Sequence, residues 1–515
     1  MEMGKRVEAI NGEIELPEAI IQHIQSFLSV KQAAQTSILS KSWHNSWLTS
    51  PNLDFDERNF LNRCYESPQS QIADGFSEFA KKTMERYQKL NLKIEKFRLW
   101  MKSTKVDRNS LANELILKAL KMCVNNLDLE FHSPTETFVL PDEVLGAETL
   151  IRLSVIGCKI DRRVDGKVSC SRLKFLSLRR VYIGDDVVWD IISSCPLIEK
   201  FLLSECQCLI NIETPIVARW MNKVLALKSP LMKSREFHNL KSLFLDRIHI
   251  DDNLFSRDFS LKFPCLVELT LRRCNGNIGI EISSPSLECI SLEQMMMFKV
   301  KFDVPNIHEF KFSGSTFPFV YFSSVSREWL SEISIWHSCQ HLGASWFLKL
   351  KRFLTRLSQS KISLSILFFS EMHIGNVEDI RGLPRPVVEN LMLSIHSSSS
   401  VCSALLDGLF WSFRPKVITQ YLFPRPHIAE KANNEYLELL TKTLIQEVSQ
   451  DCGIPDRNLF ALRDLEEVRV EIFEDSLREW GPLPWKTLLD ASTSLENRRK
   501  IRFQLRWGEE PVALV

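Results

Sequence analysis

One pattern recurs along the middle of the 515-residue chain and constrains its fold more than any other feature. It is L-x-x-L-x-L, with apolar side chains at its first, fourth and sixth positions. Its copies are Leu150/Leu153/Val155, Leu173/Leu176/Leu178, Ile198/Phe201/Leu203, Leu240/Leu243/Leu245, Leu266/Leu269/Leu271, Leu287/Ile290/Leu292, Ile307/Phe310/Phe312 and Leu330/Ile333/Ile335. Their first residues are separated by 23, 25, 42, 26, 21, 20 and 23 residues. This spacing, regular apart from one insertion, predicts stacked units that each add one short strand to a parallel sheet.

The spacing resembles that of the leucine-rich repeat, whose period is about 20 to 29 residues. Cys158, Cys206 and Cys274 follow their strands where this repeat places Asn or Cys, a side chain that can bond the turning backbone. A metal site at Cys206 and Cys208 is disfavoured, since no second Cys or His pair with ligand spacing lies near. We therefore predict an α/β fold, an irregular solenoid with a parallel sheet on its concave face and helices outside.

The pattern is less regular towards both ends. Single strands are predicted at Lys96–Leu99 and Leu127–Leu129, and later at Val388/Leu391/Leu393 and Leu465/Val468/Val470. Two helical stretches, Trp346–Leu357 and Tyr436–Val448, interrupt the period between the later strands. Irregular terminal repeats are typical of a repeat array that is capped.

The chain between Leu16 and Leu48 predicts three small helices. Pro17 suits a first helical position, and Ile20, Ile24, Phe27 and Leu28 follow at helical spacing. A second helix carries Ala33, Ala34 and Ser37, and a third begins after Ser40 as N-cap, with Trp43 and Trp47 on one face. So small a unit buries little apolar surface, so its Leu, Ile and Trp side chains indicate a partner surface. The alternative is a helical cap whose apolar residues are buried within the chain.

The stretch from Leu16 to Glu57, including the tail PNLDFDE, resembles the F-box of the large plant F-box family. The family's F-box docks on a Skp-type adaptor. The resemblance implies that the following residues face the adaptor or support the docking helices: Leu16, Pro17, Ile20, Ile24, Leu28, Ser37, Leu39, Ser40 and Trp43. This sequence departs from the family at Gln32, where an acidic residue is usual, and at Ser42 and His44, where basic residues are common. These changes put the strength of adaptor binding in doubt.

Side chains between the buried leucines should form the concave face, which we predict to be the substrate-binding surface. The candidates are Arg152, Phe175, Arg179, Lys200, Phe244, Arg272, Glu293, Lys311 and Trp336. The first repeats contribute mainly Arg and Lys and the last three mainly Glu, so a groove of two charge signs is expected.

These observations predict a series of segments: a flexible N-terminus at 1–15, an F-box at 16–58, a helical linker at 59–90, a leucine-rich-repeat solenoid at 91–400, and a C-terminal helical insertion with final repeats or a cap at 401–515. The stretch CGIPDRNLFALRDLEEVRVEIFED and the closing KIRFQLRW also resemble C-terminal portions of plant F-box/leucine-rich-repeat proteins.

The resemblance implies a substrate-recognition subunit of a Skp-cullin-F-box ubiquitin ligase, with a Skp-type adaptor, through it cullin, and an unidentified substrate as partners. A small-molecule sensor, as in hormone receptors of the same architecture, and an interaction scaffold remain alternatives. No catalytic, nucleotide or metal motif occurs, so we expect no enzyme activity and no cofactor. The 65 basic and 64 acidic residues nearly cancel, which disfavours nucleic acid as partner. Without an apolar run long enough to span a membrane, we expect no membrane partner, a nuclear or cytoplasmic location, and 13 cysteines that remain thiols.

Overall fold

A computed structural model gives the fold of the chain. It describes residues 16–28, 30–61, 69–102, 106–132, 137–161, 169–184, 187–188, 191–192, 194–206, 237–250, 259–276, 279–295, 299–323, 325, 328–337, 341–368, 373–374, 384–395, 399–422, 440–441, 443–444, 462, 464–474, 478–483 and 499–508. The predicted flexible segment 1–15 and most of the predicted helix Tyr436–Val448 lie outside these residues. The chain divides into an N-terminal unit, Met1–Leu227, and a C-terminal unit, Lys228–Val515.

The N-terminal unit begins with helices and continues as alternating strands and helices. Its helices are α1 (Glu18–Ser26), α2 (Val30–Thr36), α3 (Lys41–Leu48), α4 (Arg58–Leu61), α5 (Gln69–Lys89), α6 (Val106–Lys121) and α7 (Asp142–Leu145), and residues 187–188 and 191–192 are also helical. Its strands are β1 (Asn52–Asp56), β2 (Lys96–Met101), β3 (Asn126–Phe131), β4 (Phe138–Val139), β5 (Arg152–Ile156), β6 (Cys158–Lys159), β7 (Phe175–Arg179) and β8 (Lys200–Ser204).

Helices α1, α2 and α3 are held together by a buried glutamine. The side-chain amide of Gln25 donates to Thr36 Oγ1 at 3.0 Å and to the carbonyl oxygen of Trp43 at 3.2 Å, so one residue of α1 bonds to both other helices. Ser40 caps α3 as predicted, its Oγ accepting from the Trp43 amide. Pro17 stands one position earlier than predicted, as the N-cap of α1, and its carbonyl accepts from the amides of Ile20 and Ile21.

A parallel sheet runs through the N-terminal unit in the order β1, β2, β3, β5, β7, β8. Leu53, Phe97, Leu127, Leu153 and Leu176 align across neighbouring strands and are all buried. Strand β1 comes from the F-box-like tail PNLDFDE, so the first sheet strand begins inside the range 16–58 rather than after residue 90. Helices α1 to α3 therefore connect to the sheet without a separate linker between α3 and β1.

After several repeat strands the chain turns at one residue with a left-handed backbone. In the N-terminal unit these residues are Gly157 (φ 73°), Arg180 (φ 50°) and Glu205 (φ 55°). The amide of Gly157 donates to the carbonyl of Arg179, the last residue of the next strand, and the amide of Arg180 donates likewise to Ser204. A positive φ lets the chain leave the strand while its amide still bonds to the neighbour. The sequence pattern of leucines alone does not reveal these turns.

Among the described residues, the C-terminal unit contains fewer helices and more strands than the N-terminal unit. Its helices are α8 (Phe259–Lys262), α9 (Ala344–Arg356) and α10 (Ser399–Ser412), and residues 440–441 and 443–444 are also helical. Its strands are β9 (Ser242–Asp246), β10 (His249–Ile250), β11 (Glu268–Arg272), β12 (Asn275–Gly276), β13 (Gly279–Ser283), β14 (Cys289–Glu293), β15 (Lys299–Asp303), β16 (Glu309–Gly314), β17 (Phe319–Phe322), β18 (Leu330–His337), β19 (His341–Leu342), β20 (Lys361–Phe368), β21 (His373–Ile374), β22 (Val387–Ile395), β23 (Arg414–Leu422), β24 (Leu465–Glu474), β25 (Glu479–Pro482) and β26 (Arg499–Trp507).

The main sheet of the C-terminal unit is parallel from β9 through β11, β14, β16, β18, β20 and β22 to β23. Beyond β23 the sheet is continued by β26, β24 and β25, which pair in antiparallel order. The predicted strands at Val388–Leu393 and Leu465–Val470 and the predicted helix at Trp346–Leu357 are confirmed. Of the predicted final repeats or cap, the last strands fit a cap, with β24 between β26 and β25.

One predicted repeat is out of register. The sequence pattern placed Leu330, Ile333 and Ile335 in the core, but Leu330 is 50% exposed. Strand pairing aligns Ile333 with Phe312 and the buried Ser331 with Phe310, so the repeat lies two residues earlier than predicted. Ser331 fills its core position by bonding to Ser360 Oγ at 2.7 Å. A polar core residue with a partner explains why the search for apolar triplets failed here.

Candidate interaction surfaces

Helices α1 to α3 and the turn after α2 carry large apolar side chains that are exposed. Phe27 is 76% exposed, Ile38 85% and Leu39 64%, and Leu16, Ile20 and Ile24 are also exposed. We call these six residues the apolar patch. The opposite side of α1 carries Ile21 and Gln25, which are buried. The helix is therefore apolar on two sides, one packed inside the segment and one open to a partner.

The predicted adaptor-facing residues occupy three kinds of position. Leu16, Pro17, Ile20, Ile24 and Leu39 are exposed, and Leu28 and Trp43 are half-buried. The Ser37 hydroxyl donates to the carbonyl of Ala34, and Ser40 caps α3, so both are bonded within the segment. Phe27 and Ile38 were not among the predicted contacts. Phe27 follows the helical spacing of Ile20 and Ile24, whereas Ile38 lies in the turn after α2, where periodicity gives no signal.

Buried polar contacts fix the segment between α3 and β2. The Tyr87 hydroxyl on α5 donates to the carbonyl of Ser50 at 2.6 Å, and burial raises the pKa of this tyrosine to about 12. Glu57, whose side chain is only 2% exposed, accepts from the amide of Lys102 at 2.8 Å and pairs with Arg108. These bonds join the end of the helical segment to β2 and α6. A buried carboxylate needs such partners, because desolvating an unpaired charge is costly.

The last three strands of the N-terminal sheet present a basic surface. Their non-core side chains, which we call the basic face, are Arg152, Ser154, Ile156, Phe175, Ser177, Arg179, Lys200, Leu202 and Ser204. Arg152, Phe175 and Lys200 stand side by side in the strand register, and the guanidinium of Arg152 lies over the Phe175 ring, 3.6 Å from its centroid. Arg179 stands at the other end of the strand that carries Phe175. The structure therefore brings four predicted substrate-contact residues together on one surface.

Acidic side chains on the first three strands of this sheet are paired. Arg98 Nη1 lies 3.1 Å from Asp54 Oδ2, and Asp128 has Lys96 Nζ and Arg152 Nε at 3.8 Å. Burial raises the pKa of Asp54 despite the opposing charge of Arg98. Sequence reasoning missed this acidic region. The strands at 96–101 and 126–131 carry buried apolar triplets, Ile94/Phe97/Leu99 and Val124/Leu127/Leu129, but only the strands after residue 150 were searched for outward contacts.

The C-terminal unit places the other predicted contacts among paired charges. Arg272 Nε lies 3.8 Å from Glu293 Oε2, and Lys311 Nζ lies 3.0 Å from Glu309 and 3.4 Å from Glu332. Phe244 and Trp336 are half-buried beside the core positions of their strands.

Asp246 was expected to point outward, and the structure shows that it is buried. Its position after two core leucines predicts an outward side chain, yet it is 1% exposed and accepts from Arg273 Nε at 2.9 Å and Nη2 at 2.5 Å. Arg273 is the left-handed turn residue after the next strand, with φ 48°. The turn aims its guanidinium back across the sheet end, so Asp246 serves the repeat turn rather than the outward face.

Two of the three cysteines after the strands, Cys206 and Cys274, perform the predicted bonding role, whereas Cys158 is buried without a hydrogen bond of its thiol among the described residues. Cys206 Sγ lies 3.4 Å from the carbonyl oxygens of Leu178 and Ser204, and Cys274 Sγ lies 3.4 Å from those of Leu245 and Arg272. Burial raises the pKa of the Cys274 thiol to about 12, so it stays protonated as a donor. Across the described ranges, no group of three or more His, Cys, Asp or Glu side chains could hold a metal ion. None of the described helices is long and apolar enough to cross a membrane.

Comparison with known proteins gives evidence that is independent of the structure. Residues 113–227 match the family model described as FBD-associated F-box protein At5g56370, LRR repeats. The chain is 28% identical over 309 residues to an F-box/LRR-repeat relative from Arabidopsis thaliana, At4g00320, which covers 54% of this chain and 59% of the relative. It is 32% identical over 195 residues to the F-box/LRR-repeat protein At4g14096 and 31% identical over 198 residues to the F-box/FBD/LRR-repeat protein At2g26030, both from the same plant. Each of these two matches covers 37% of this chain, and they span 39% and 40% of the relatives. All three matches span less than two thirds of the relative's length.

Proposed function

Because the chain belongs to the plant family of F-box/leucine-rich-repeat proteins, we propose that it is the substrate-recognition subunit of a Skp-cullin-F-box ubiquitin ligase. In this proposal helices α1 to α3 bind a Skp-type adaptor, and the outward face of the repeat sheet binds a substrate protein. The chain itself performs no chemistry. It would act in the nucleus, the cytoplasm or both.

The observation that carries the proposal is the apolar patch. Six large apolar side chains are exposed on a segment of about 30 residues, which is too small to form a core that would need them. Exposed apolar clusters on soluble proteins are typical of interaction sites. The buried side chains of the segment are Ile21, Gln25, Ala33 and Ser46, and none of the six patch residues is among them.

The mechanism that follows is catalysis by proximity. One surface would hold the adaptor, another would hold the substrate, and an enzyme carrying ubiquitin elsewhere in the complex would perform the transfer. The gain is effective concentration, which depends on how rigidly the two surfaces are joined. The bonds of Tyr87 to Ser50 and of Glu57 to Arg108 and Lys102 tie the helical segment to the first strands, and they supply that rigidity.

The test measures adaptor binding by purified protein. Wild type is compared with a patch variant, Ile20→Ala, Ile24→Ala and Leu39→Ala, by calorimetry against a plant Skp-type adaptor. Each truncation removes apolar area from a contact worth about 1 kcal/mol or more, so the affinity should fall by at least about a hundredfold. A control variant, Leu90→Ala, Leu197→Ala and Leu261→Ala, truncates three exposed leucines outside the helical segment and should bind like wild type.

The control separates loss of the site from a general effect of removing surface leucines. Circular dichroism and thermal melting of all three proteins should coincide, since every altered side chain is exposed. Folded wild-type protein that fails to bind the adaptor would reject the ligase proposal. Equal loss in the patch and control variants would mean a general effect of removing surface apolar side chains, and unchanged binding by the patch variant would assign adaptor binding to another surface.

A further inference from the structure

The charge on the basic face is only partly balanced by nearby acids. Among the nine side chains of the basic face, Arg152, Arg179 and Lys200 are basic and none is acidic. Within the part of the chain that the structure describes, Arg179 and Lys200 form no ion pair. Arg152 has one distant carboxylate, Asp128 at 3.8 Å, which it shares with Lys96. The three strands therefore present excess positive charge, although the whole chain is almost neutral.

The basic face also has an ordered apolar element between its charges. The Phe175 ring lies under the guanidinium of Arg152, which holds this long side chain flat against the sheet. Ile156 and Leu202 are half-buried outward residues on the strands to either side of β7. A guanidinium fixed on an aromatic ring loses less conformational freedom when it binds an anion, and pairs of Arg with an aromatic residue are frequent anchors of protein interfaces.

We propose that the basic face binds an acidic, extended segment of the substrate protein, with carboxylate side chains paired to Arg152, Arg179 and Lys200. This inference rests on the proposed function, because only that function makes the bound protein a substrate. The charge of the surface does not depend on adaptor binding. Charge complementarity is its main argument, because a face with three cations and no acids repels basic partners and attracts acidic ones.

The spacing fits a segment that is extended across the strands and bends once. Neighbouring strands are about 4.8 Å apart, so Arg152 and Lys200, with β7 between them, are separated by roughly 10 Å at the backbone. Arg179 follows Phe175 along one strand by about 13 Å. Arg179 lies to the side of the line from Arg152 to Lys200, so an acidic residue reaches it only where the segment bends. An extended segment rises by about 3.3 Å per residue, so acidic residues three positions apart match Arg152 and Lys200 when the segment crosses the strands. An apolar residue between them would meet Phe175.

The test selects peptides instead of assuming a substrate. Random peptides displayed on phage are selected in parallel on wild type, on a basic-face variant (Arg152→Ser, Arg179→Ser, Lys200→Ser) and on a control variant (Lys81→Ser, Lys89→Ser, Lys121→Ser). The control removes three positive charges from exposed helical positions of the same unit, so net charge changes equally. We expect Asp and Glu to be enriched at least about twofold with wild type and control, and to return to the starting frequency with the basic-face variant.

A chosen acidic peptide is then measured by fluorescence anisotropy. Its affinity should fall by about tenfold in the basic-face variant, by less than about twofold in the control, and steeply with added salt. Failure to enrich acidic residues, or equal enrichment by the basic-face variant, would overturn the proposal. So would displacement of the peptide by a single-stranded DNA oligomer at lower concentration than by the free peptide, which would make the face a polynucleotide site.

The same protein preparations are assayed for adaptor binding, which separates the two proposals. Adaptor binding without acidic enrichment would leave the ligase function standing and remove this inference. Acidic peptide binding without adaptor binding would keep the basic face as an interaction surface and reject the ligase function.

Discussion

The two units build their sheets from the same strand-and-turn repeat but use charged residues in different ways. In the N-terminal unit, the outward side of β5, β7 and β8 carries cations of which two form no ion pair in the described residues, and one strand ends at Gly157. In the C-terminal unit, outward Arg272 and Lys311 pair with glutamates, and Asp246 is buried against the turn residue Arg273. The same repeat can thus hold charges in internal pairs, which stabilise the repeat, or leave them available to a partner.

The turns of the two units should differ most in their tolerance of substitution. A Cβ at Gly157 would stand 2.1 Å from the carbonyl oxygen of Phe131, and φ is 73° there. Gly157→Ala should therefore lower the free energy of unfolding by at least about 3 kcal/mol, from backbone strain together with steric overlap. Gly343→Ala is the control, because no atom lies within 4 Å of its Cβ and φ is −104°. Denaturant titration followed by circular dichroism measures both, and equal stability would refute the steric argument.

The second test of the comparison between the two units removes the charge of one buried and one exposed carboxylate. Asp246→Asn removes a charge that is 1% exposed and paired with Arg273, so it should cost about 3 kcal/mol by leaving that guanidinium without its counter-charge. Asp128→Asn, on the outward side of the N-terminal sheet, should change stability by less than about 0.5 kcal/mol, since its two cations are 3.8 Å away. Chemical denaturation of the two variants and wild type measures both losses of stability. Similar losses would show that the outward pairs stabilise the fold as much as the buried pair.

Titration of a core histidine should make the C-terminal unit sensitive to acid. His337 is buried beside Trp346 and Phe368, and burial lowers its pKa below the usual 6.5. The unfolded chain therefore binds a proton more readily than the folded chain, so stability is fully present above pH 6.5 and falls as the pH drops towards the folded pKa. Unfolding curves between pH 7.5 and 5 measure the slope. His337→Leu should reduce the slope in this window, and an unchanged slope would assign the effect to other groups.

Sequence periodicity predicted the parts of this protein that depend on apolar burial. The triplets from Leu150 to Phe312 are buried as expected, since each contributes to one continuous core. Where a polar group with a partner replaces an apolar one, as at Ser331 with Ser360, the pattern fails by two residues. The antiparallel end of the C-terminal sheet also escaped prediction, because alternation along β24 and β26 is the same whether a strand runs parallel or antiparallel.

The sequence predicted which residues lie on the candidate surfaces, but it did not predict which charged residues pair with each other. Strand alternation placed Arg152, Phe175 and Lys200 on one side of the sheet, and their strand register then made them neighbours. Alternation could not show that Asp246 is buried, because its partner Arg273 reaches it through a left-handed turn 27 residues later. Pairing across repeats depends on backbone geometry that apolar spacing does not encode.

The smallest effect expected concerns two outward arginines, one in each unit. Arg152 lies over the Phe175 ring at 3.6 Å, whereas Arg272 has Glu293 at 3.8 Å. An exposed cation–π contact is worth about 0.5 to 1 kcal/mol and an exposed ion pair about 0 to 1 kcal/mol, so Arg152→Ala should cost slightly more than Arg272→Ala. Salt distinguishes them, because screening removes the ion-pair contribution but leaves the packing of Arg152 on the ring. We therefore expect high salt to remove the loss of stability caused by Arg272→Ala and to retain most of the loss caused by Arg152→Ala. Denaturation of both variants and wild type in low and high salt measures these losses. Equal salt sensitivity would mean that Arg152 is held by Asp128 rather than by Phe175, and the basic face would then have one fewer available cation.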